Sequence, residues 1–240
     1  MESITHMSIF PLNTVLYPGM ALPLHIFEER YISMIGECLS KKQPFGVVLI
    51  RKGEEVGGPA KVHTIGTVAE IERSEQFDDG RYGLLCVGGS RFRIEEITQE
   101  RPFMKARVEM LPELTGQERV QETTELANNL RRELASFERL SAQIDPEWEK
   151  PTAVPPMEPS GLAYSVAAVI PMRRSDKQRL LSMDSLSSLL SHEIDEIARY
   201  NFRCKAVLAA REQADQFEKP DEDEDADEKE KNRTPAYRLN

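Results

Sequence analysis

Through the N-terminal half of the chain, apolar positions come in short runs that alternate with polar ones and are broken by proline and glycine. In residues 10–31, FPLNTVLYPGMALPLHIFEERY, the prolines at 11, 18 and 23 fix φ and remove backbone donors, so the stretch cannot be helix or central strand throughout. Ile9, Leu12, Val15 and Leu16, then Ala21, Leu22, Leu24 and Ile26, predict two strands on either side of a turn at Pro18-Gly19. From Glu28 the period becomes helical: Tyr31, Ile35, Cys38 and Leu39 share one face, Glu28 and Glu29 sit at the positive end of the dipole, and Lys41 and Lys42 at the other. Residues 45–50, FGVVLI, are an apolar run of strand length, followed by a glycine-rich turn over 52–60. Residues 62–77 and 81–97 read as two strands joined by a hairpin turn at Asp78-Asp79-Gly80, with a bulge or bend at Gly88-Gly89, and 103–111 alternates as a last half-buried strand.

The pattern changes at Pro112. Thr115 and Glu118 have capping-box spacing, and Val120, Leu126, Leu130, Leu134, Phe137 and Leu140 predict a long amphipathic helix. Residues 145–159 hold Pro146, Pro151, Pro155, Pro156 and Pro159 together with the single tryptophan, which predicts an extended connection pinned by Trp148. Ser160 opens a short helix ending at Ile170. Ser175 with Gln178, then Asp184, have the look of two more N-caps, the last starting a helix with the apolar face Leu186, Leu189, Leu190, Ile194, Ile197, Tyr200, Phe202, Val207 and Leu208. Residues 219–231, KPDEDEDADEKEK, have nothing to bury against the entropy of ordering them, so they are expected to be disordered. The fold class is therefore α+β: a β-rich unit with one helix over 1–113, a helical subdomain over 114–217 with its connection at 145–159, and a disordered acidic tail over 218–240.

Four ordered blocks carry a family likeness: residues 10–31, FGVVLI (45–50), IGTVAEI (65–71) and DGRYGLLCVGGSRFRI (79–94). Together they resemble the N-terminal substrate-binding domain of Lon proteases, with its PL pair, PG turn, PL(H) and IFE.RY pattern; Glu29 stands where that family often has proline. DKQRLLSMDSLSSLLSHEI (176–194) is similar to the helical subdomain that follows. The resemblance implies a PUA-like β-pseudobarrel, a free-standing form without ATPase and peptidase domains, and non-catalytic binding of polypeptide: an unfolded or client segment, or a protein partner.

Charge and missing motifs narrow the chemistry. The formal net charge of −10 is spread along the chain, which weighs against binding driven by phosphate neutralisation. The alternative is RNA, which other PUA-like barrels bind, held by Arg81, Arg91, Arg93, Lys105 and Arg107 on neighbouring strands. No apolar run is long enough to span a membrane and MESITHMS lacks a signal-peptide pattern, so a cytoplasmic protein is expected. Cys38, Cys86 and Cys204 are widely spaced in apolar sequence and read as reduced core thiols. His6, His25, His63 and His192 have no metal-ligand spacing, no cofactor is implied, and His25 among apolar neighbours reads as a hydrogen-bonded core histidine. A phosphate-binding loop needs a lysine to reach the phosphates, and GLLCVGGS (83–90) has Gly89 there; GGSRF fails the GxSxG elbow at Phe92. No catalytic residue is expected. The candidate peptide-binding residues are Leu16 and Tyr17 at the Pro18-Gly19 turn, and Phe77, Tyr82 and Arg81 at the hairpin turn. Large apolar side chains at turns either plug the ends of a small barrel or form an exposed patch for an extended hydrophobic segment.

Overall fold

The computed structural model describes residues 4–53, 61–116, 119–150 and 155–217. The alternating runs become β1 (Ile4–Leu12), β2 (Ala21–Ile26), β3 (Phe45–Lys52), β4 (Lys61–Gln76), β5 (Tyr82–Gln99) and β6 (Met104–Met110), with helix α1 (Glu29–Lys41) between β2 and β3. Their order is β2-β5-β4-β3-β1-β6, and β6 pairs back onto β5. Five strands thus close into a ring and β2 is left outside it, paired along one side only among the described residues. The pairing of β1 with β3 is parallel and the rest are antiparallel.

Strand β5 serves two neighbours because it bends. Its first half pairs with β2 and its second half with β6. At the change-over, pairing with β4 steps from Thr67↔Arg91 to Ala69↔Gly88, which leaves an extra residue on β5 at Gly89-Ser90. Glycine is required beside it: a Cβ on Gly88 would lie 2.1 Å from the Tyr17 carbonyl oxygen. Inside the ring, Ile9, Val48, Phe92, Ala106 and Val108 pack together, and α1 lays Tyr31, Met34, Ile35 and Cys38 over a second cluster containing Phe10 and Phe45.

The second half of the chain forms α2 (Val120–Ile144), α3 (Pro159–Val169), α4 (Arg174–Leu181) and α5 (Leu186–Phe217). These helices share one apolar core with Val15, Tyr17 and Leu49 from the β-rich part, and Trp148 sits edge-on to Phe137 at 6.2 Å, anchoring the start of the proline-rich connection. The capping expectations shift. Helix α2 starts at Val120 with Arg119 as its cap, so Thr115 does not cap it, and Glu118 lies outside the described residues. Ser175 lies inside α4, where Gln178 sends its side chain to the Ile65 carbonyl, and the Ser188 N–H donates to Ser185 rather than to Asp184. Phe202 is 75% exposed, against its expected place on the α5 core face. The inward stripe runs through Ile197, Asn201 and Cys204 instead, because Asn201 turns in to donate to the Glu133 carbonyl and carboxylate. All three cysteines are buried and free. The acidic tail lies outside the described residues.

Candidate functional site

Past the ring, the ends of β4 and β5 run on as a two-stranded arm closed by the expected hairpin. The Phe77 N–H donates to the Arg81 carbonyl at 2.9 Å, and Gly80 takes φ of 86°, a left-handed conformation that suits glycine. Strand β2 is the third strand of this arm, with His25 opposite Gly83 and Gly83 opposite Glu75. Facing residues project to the same side, so His25, Gly83 and Glu75 share one face with Phe77 and Arg81, while Ile26 and Tyr82 share the other. The first face is open. Phe77 lies across bare Gly83, where a Cβ would meet its ring at 3.3 Å, and reaches the His25 ring edge-on at 6.0 Å. On the far side of His25, the Phe27 ring stands 6.1 Å away. Phe27 is 52% exposed and Phe77 38%, so His25 links two aromatic rings that no core covers.

The five sequence-derived candidates separate. Leu16 and Tyr17 are each 1% exposed, which corrects their assignment to an open patch: Leu16 packs under α1 with Phe10 and Leu22, and the Tyr17 hydroxyl donates to the Lys177 carbonyl at 2.9 Å. The helices α3 and α4 cover this turn, and burial pushes the Tyr17 phenol far above its ordinary pKa. Tyr82 is half-buried against the α1-covered core, on the opposite side of the arm from Phe77. Phe77 and Arg81 remain on the open face. Arg81 is tied to Asp79 at 2.6 Å, and its backbone N–H, then its guanidinium, hold the Asp79 carboxyl below the usual range. The expectation of a core histidine is also corrected, since His25 is exposed. Sequence reasoning missed His25 and Phe27; the period-two run Ala21, Pro23, His25, Phe27 carried the signal.

The five basic residues considered for RNA have other partners. Arg91 is buried and donates to the carbonyls of Leu181, Met183 and Pro112. Arg93 pairs with Glu109 at 3.0 Å, Lys105 with Glu37 at 3.1 Å, Arg107 with Glu96 at 3.3 Å and Arg81 with Asp79. The Lys105 hydrogen bond holds Glu37 below the ordinary carboxylate range. Phosphate binding would have to displace these pairs. A cleft of about 430 Å³ opens beside the arm between the Pro18-Gly19 turn, Gly88-Gly89 and the start of α3 at Ser160-Gly161, at the end where β2 begins. No helix among the described residues is long and apolar enough to cross a membrane.

Comparison with known proteins places this architecture. Residues 6–199 match the family model described as the ATP-dependent protease La (Lon) substrate-binding domain. The chain is 32% identical over 198 residues to Lon protease 2 of Myxococcus xanthus and 30% identical over 198 residues to the Lon protease of Anaeromyxobacter dehalogenans; each alignment takes in 80% of this chain and 23% of the relative. The chain thus spans about a quarter of the length of those relatives. Among solved structures, the N-terminal domain of a Mycobacterium avium complex Lon protease aligns with TM-score 0.58 and 18% identity over 81% of this chain and 98% of its own. A Lon N-terminal domain protein from Xanthomonas campestris aligns with TM-score 0.52 and 23% identity over 78% and 96%. At these identities the structures speak for the fold alone.

Proposed function

The chain belongs to the family of the Lon substrate-binding domain, and from that premise we propose that it is a non-catalytic module that holds unfolded or client polypeptide on the open face of its β-arm. The observation carrying this reading is the row Phe27, His25 and Phe77, with His25 on β2 and the two phenylalanines just past the ends of β2 and β4, left exposed where burial in the protein's own core would have stabilised the fold. A β-barrel of the PUA-like kind is a stiff support for such an arm, and the helical bundle fixes its base through Tyr17 and Arg91. In this reading the module presents a captured segment to other machinery in the cytoplasm as an adaptor or quality-control factor. It needs neither metal nor cofactor for this, because aromatic and backbone contacts supply the affinity.

The test is a titration of the chain into a fluorescently labelled, reduced and alkylated unfolded protein, followed by anisotropy. Binding in the micromolar range is expected, corresponding to about 8 kcal/mol, and the same protein in its folded form should not compete. A flat titration up to millimolar chain would overturn the proposal.

A further inference from the structure

Strand β2 has a side that nothing pairs with among the described residues, and its backbone chemistry can be read from its neighbours. The Gly88 N–H donates to the Met20 carbonyl at 2.9 Å, whereas the Phe77 N–H donates across the hairpin to the Arg81 carbonyl. Backbone groups point to alternate sides along a strand, so even-numbered residues of this half of β5 face β2 and odd-numbered ones face β4. By the register Leu22↔Cys86, Leu24↔Leu84 and Ile26↔Tyr82, these three β2 residues bond inward to β5. Ala21, Pro23 and His25 therefore turn their backbone groups outward, and all three are exposed. The outward side offers N–H donors from Ala21 and His25 and carbonyls from Ala21, Pro23 and His25. Pro23 sits where it costs no ladder bond, and it blunts the edge against indiscriminate pairing without closing it.

Deepening the proposed function and resting on it, we propose that this edge takes an extended polypeptide segment as an added strand, with alternate apolar side chains laid against His25 and Phe27 and reaching across the His25 ring toward Phe77. The two features are adjacent: His25 supplies both an outward N–H and the ring between the two phenylalanines. Main-chain pairing provides affinity that is indifferent to sequence, and the side-chain row selects what alternates correctly. The charge around the edge narrows the occupant further. From Glu70 to Arg81 the arm exposes five carboxylates, Glu70, Glu72, Glu75, Asp78 and Asp79, against two guanidiniums, Arg73 and Arg81. Lysines alternating with apolar residues laid on the His25 face project to the face opposite Glu75, so it is the net negative field of the arm, rather than direct pairing, that favours a basic segment over an acidic one.

The experiment uses a synthetic peptide of about eight residues, strand length, alternating Val and Phe with Lys and Ser, titrated into the full chain. Two further peptides carry N-methyl groups on one or the other alternate set of amides. Strand addition predicts that one methylated set loses at least about tenfold in affinity, as expected for two lost backbone hydrogen bonds, while the other set binds as the parent does. Equal affinity of all three peptides, or equal loss by both methylated ones, overturns strand addition while leaving polypeptide binding in place. No binding by the unmethylated peptide, with binding of an unfolded protein retained, likewise removes the edge; loss of both removes the underlying function. On the protein side, His25→Pro deletes the outward donor, and His25→Ala keeps it while removing the ring. The proline variant should bind more weakly than the alanine variant, and equal affinity overturns the proposal. A concentration-dependent dimer that His25→Pro abolishes would assign the edge to a second copy of the chain and overturn it too.

Discussion

Glu193 shows how far a single side chain can depart from its ordinary chemistry. It lies fully buried on α5, and beyond the nearby Ala167 backbone neither carboxylate oxygen finds a well-formed hydrogen bond among the described residues. Burial pushes its pKa well above the ordinary value, outweighing the Ala167 backbone that favours the carboxylate, and the Tyr17 and Tyr164 phenols, which its charge acts on, are raised by burial as well. The folded chain therefore holds a proton that the unfolded chain gives up. Below the ordinary carboxylate pKa both states are protonated and Glu193 adds no pH dependence. As pH rises above it, stability falls by about 1.4 kcal/mol per pH unit until the folded-state pKa is passed. Glu193→Gln should flatten this dependence, leaving the variant more stable than the parent at neutral pH and equal to it near pH 4, measured by urea unfolding across the range. Parallel profiles for the two proteins would refute it.

At the scale of elements, the bend of β5 allows one strand to close the ring and also to support β2. Gly88→Ala would drive a Cβ into the Tyr17 carbonyl, a backbone atom that cannot rotate away, so a loss of about 2 to 3 kcal/mol is expected in chemical denaturation. An unchanged midpoint would mean that the bend adapts. The strands themselves were legible, because period-two alternation survives in residues 62–77 and 81–97 and the hairpin declared itself through Asp79-Gly80. Strand order was not, because it depends on pairings between distant residues. Without knowing that β2 is the outer strand, His25 among apolar neighbours reads as buried. The helix starts slipped for a local reason: Thr115, Ser175, Asp184 and Ser185 are all competent caps, and packing decides among them. Leu16 and Tyr17 show the limit at the site, since a turn rich in apolar residues becomes core or surface according to what covers it. Here the cover is α3 and α4, with the Tyr17 hydroxyl bonded to a carbonyl 160 residues away.

At the scale of the whole molecule, the β-rich and helical parts are held together by polar contacts set into a shared apolar core. Arg91 reaches the carbonyls of Leu181, Met183 and Pro112, Tyr17 reaches Lys177, and Gln178 reaches back to Ile65. Arg91→Met keeps most of the volume but strands those carbonyls, so a destabilisation on the order of 3 kcal/mol is expected, with both parts unfolding earlier in one transition. A transition that splits in two, the β-rich part keeping its parental midpoint, would show that the parts are independent. This rigidity is what the proposed function requires of the base of the arm. The central claim is that the open aromatic face binds polypeptide, and the most direct measurement compares the Phe27→Ser, Phe77→Ser double variant with the parent for thermal midpoint and for binding of a labelled unfolded protein. Phe27 is 52% exposed and Phe77 38%, so covering both should contribute about 1.5 to 2.5 kcal/mol together. A nearly unchanged midpoint with affinity weakened about 10- to 70-fold is expected; binding equal to the parent's from an equally stable variant would contradict the proposed function.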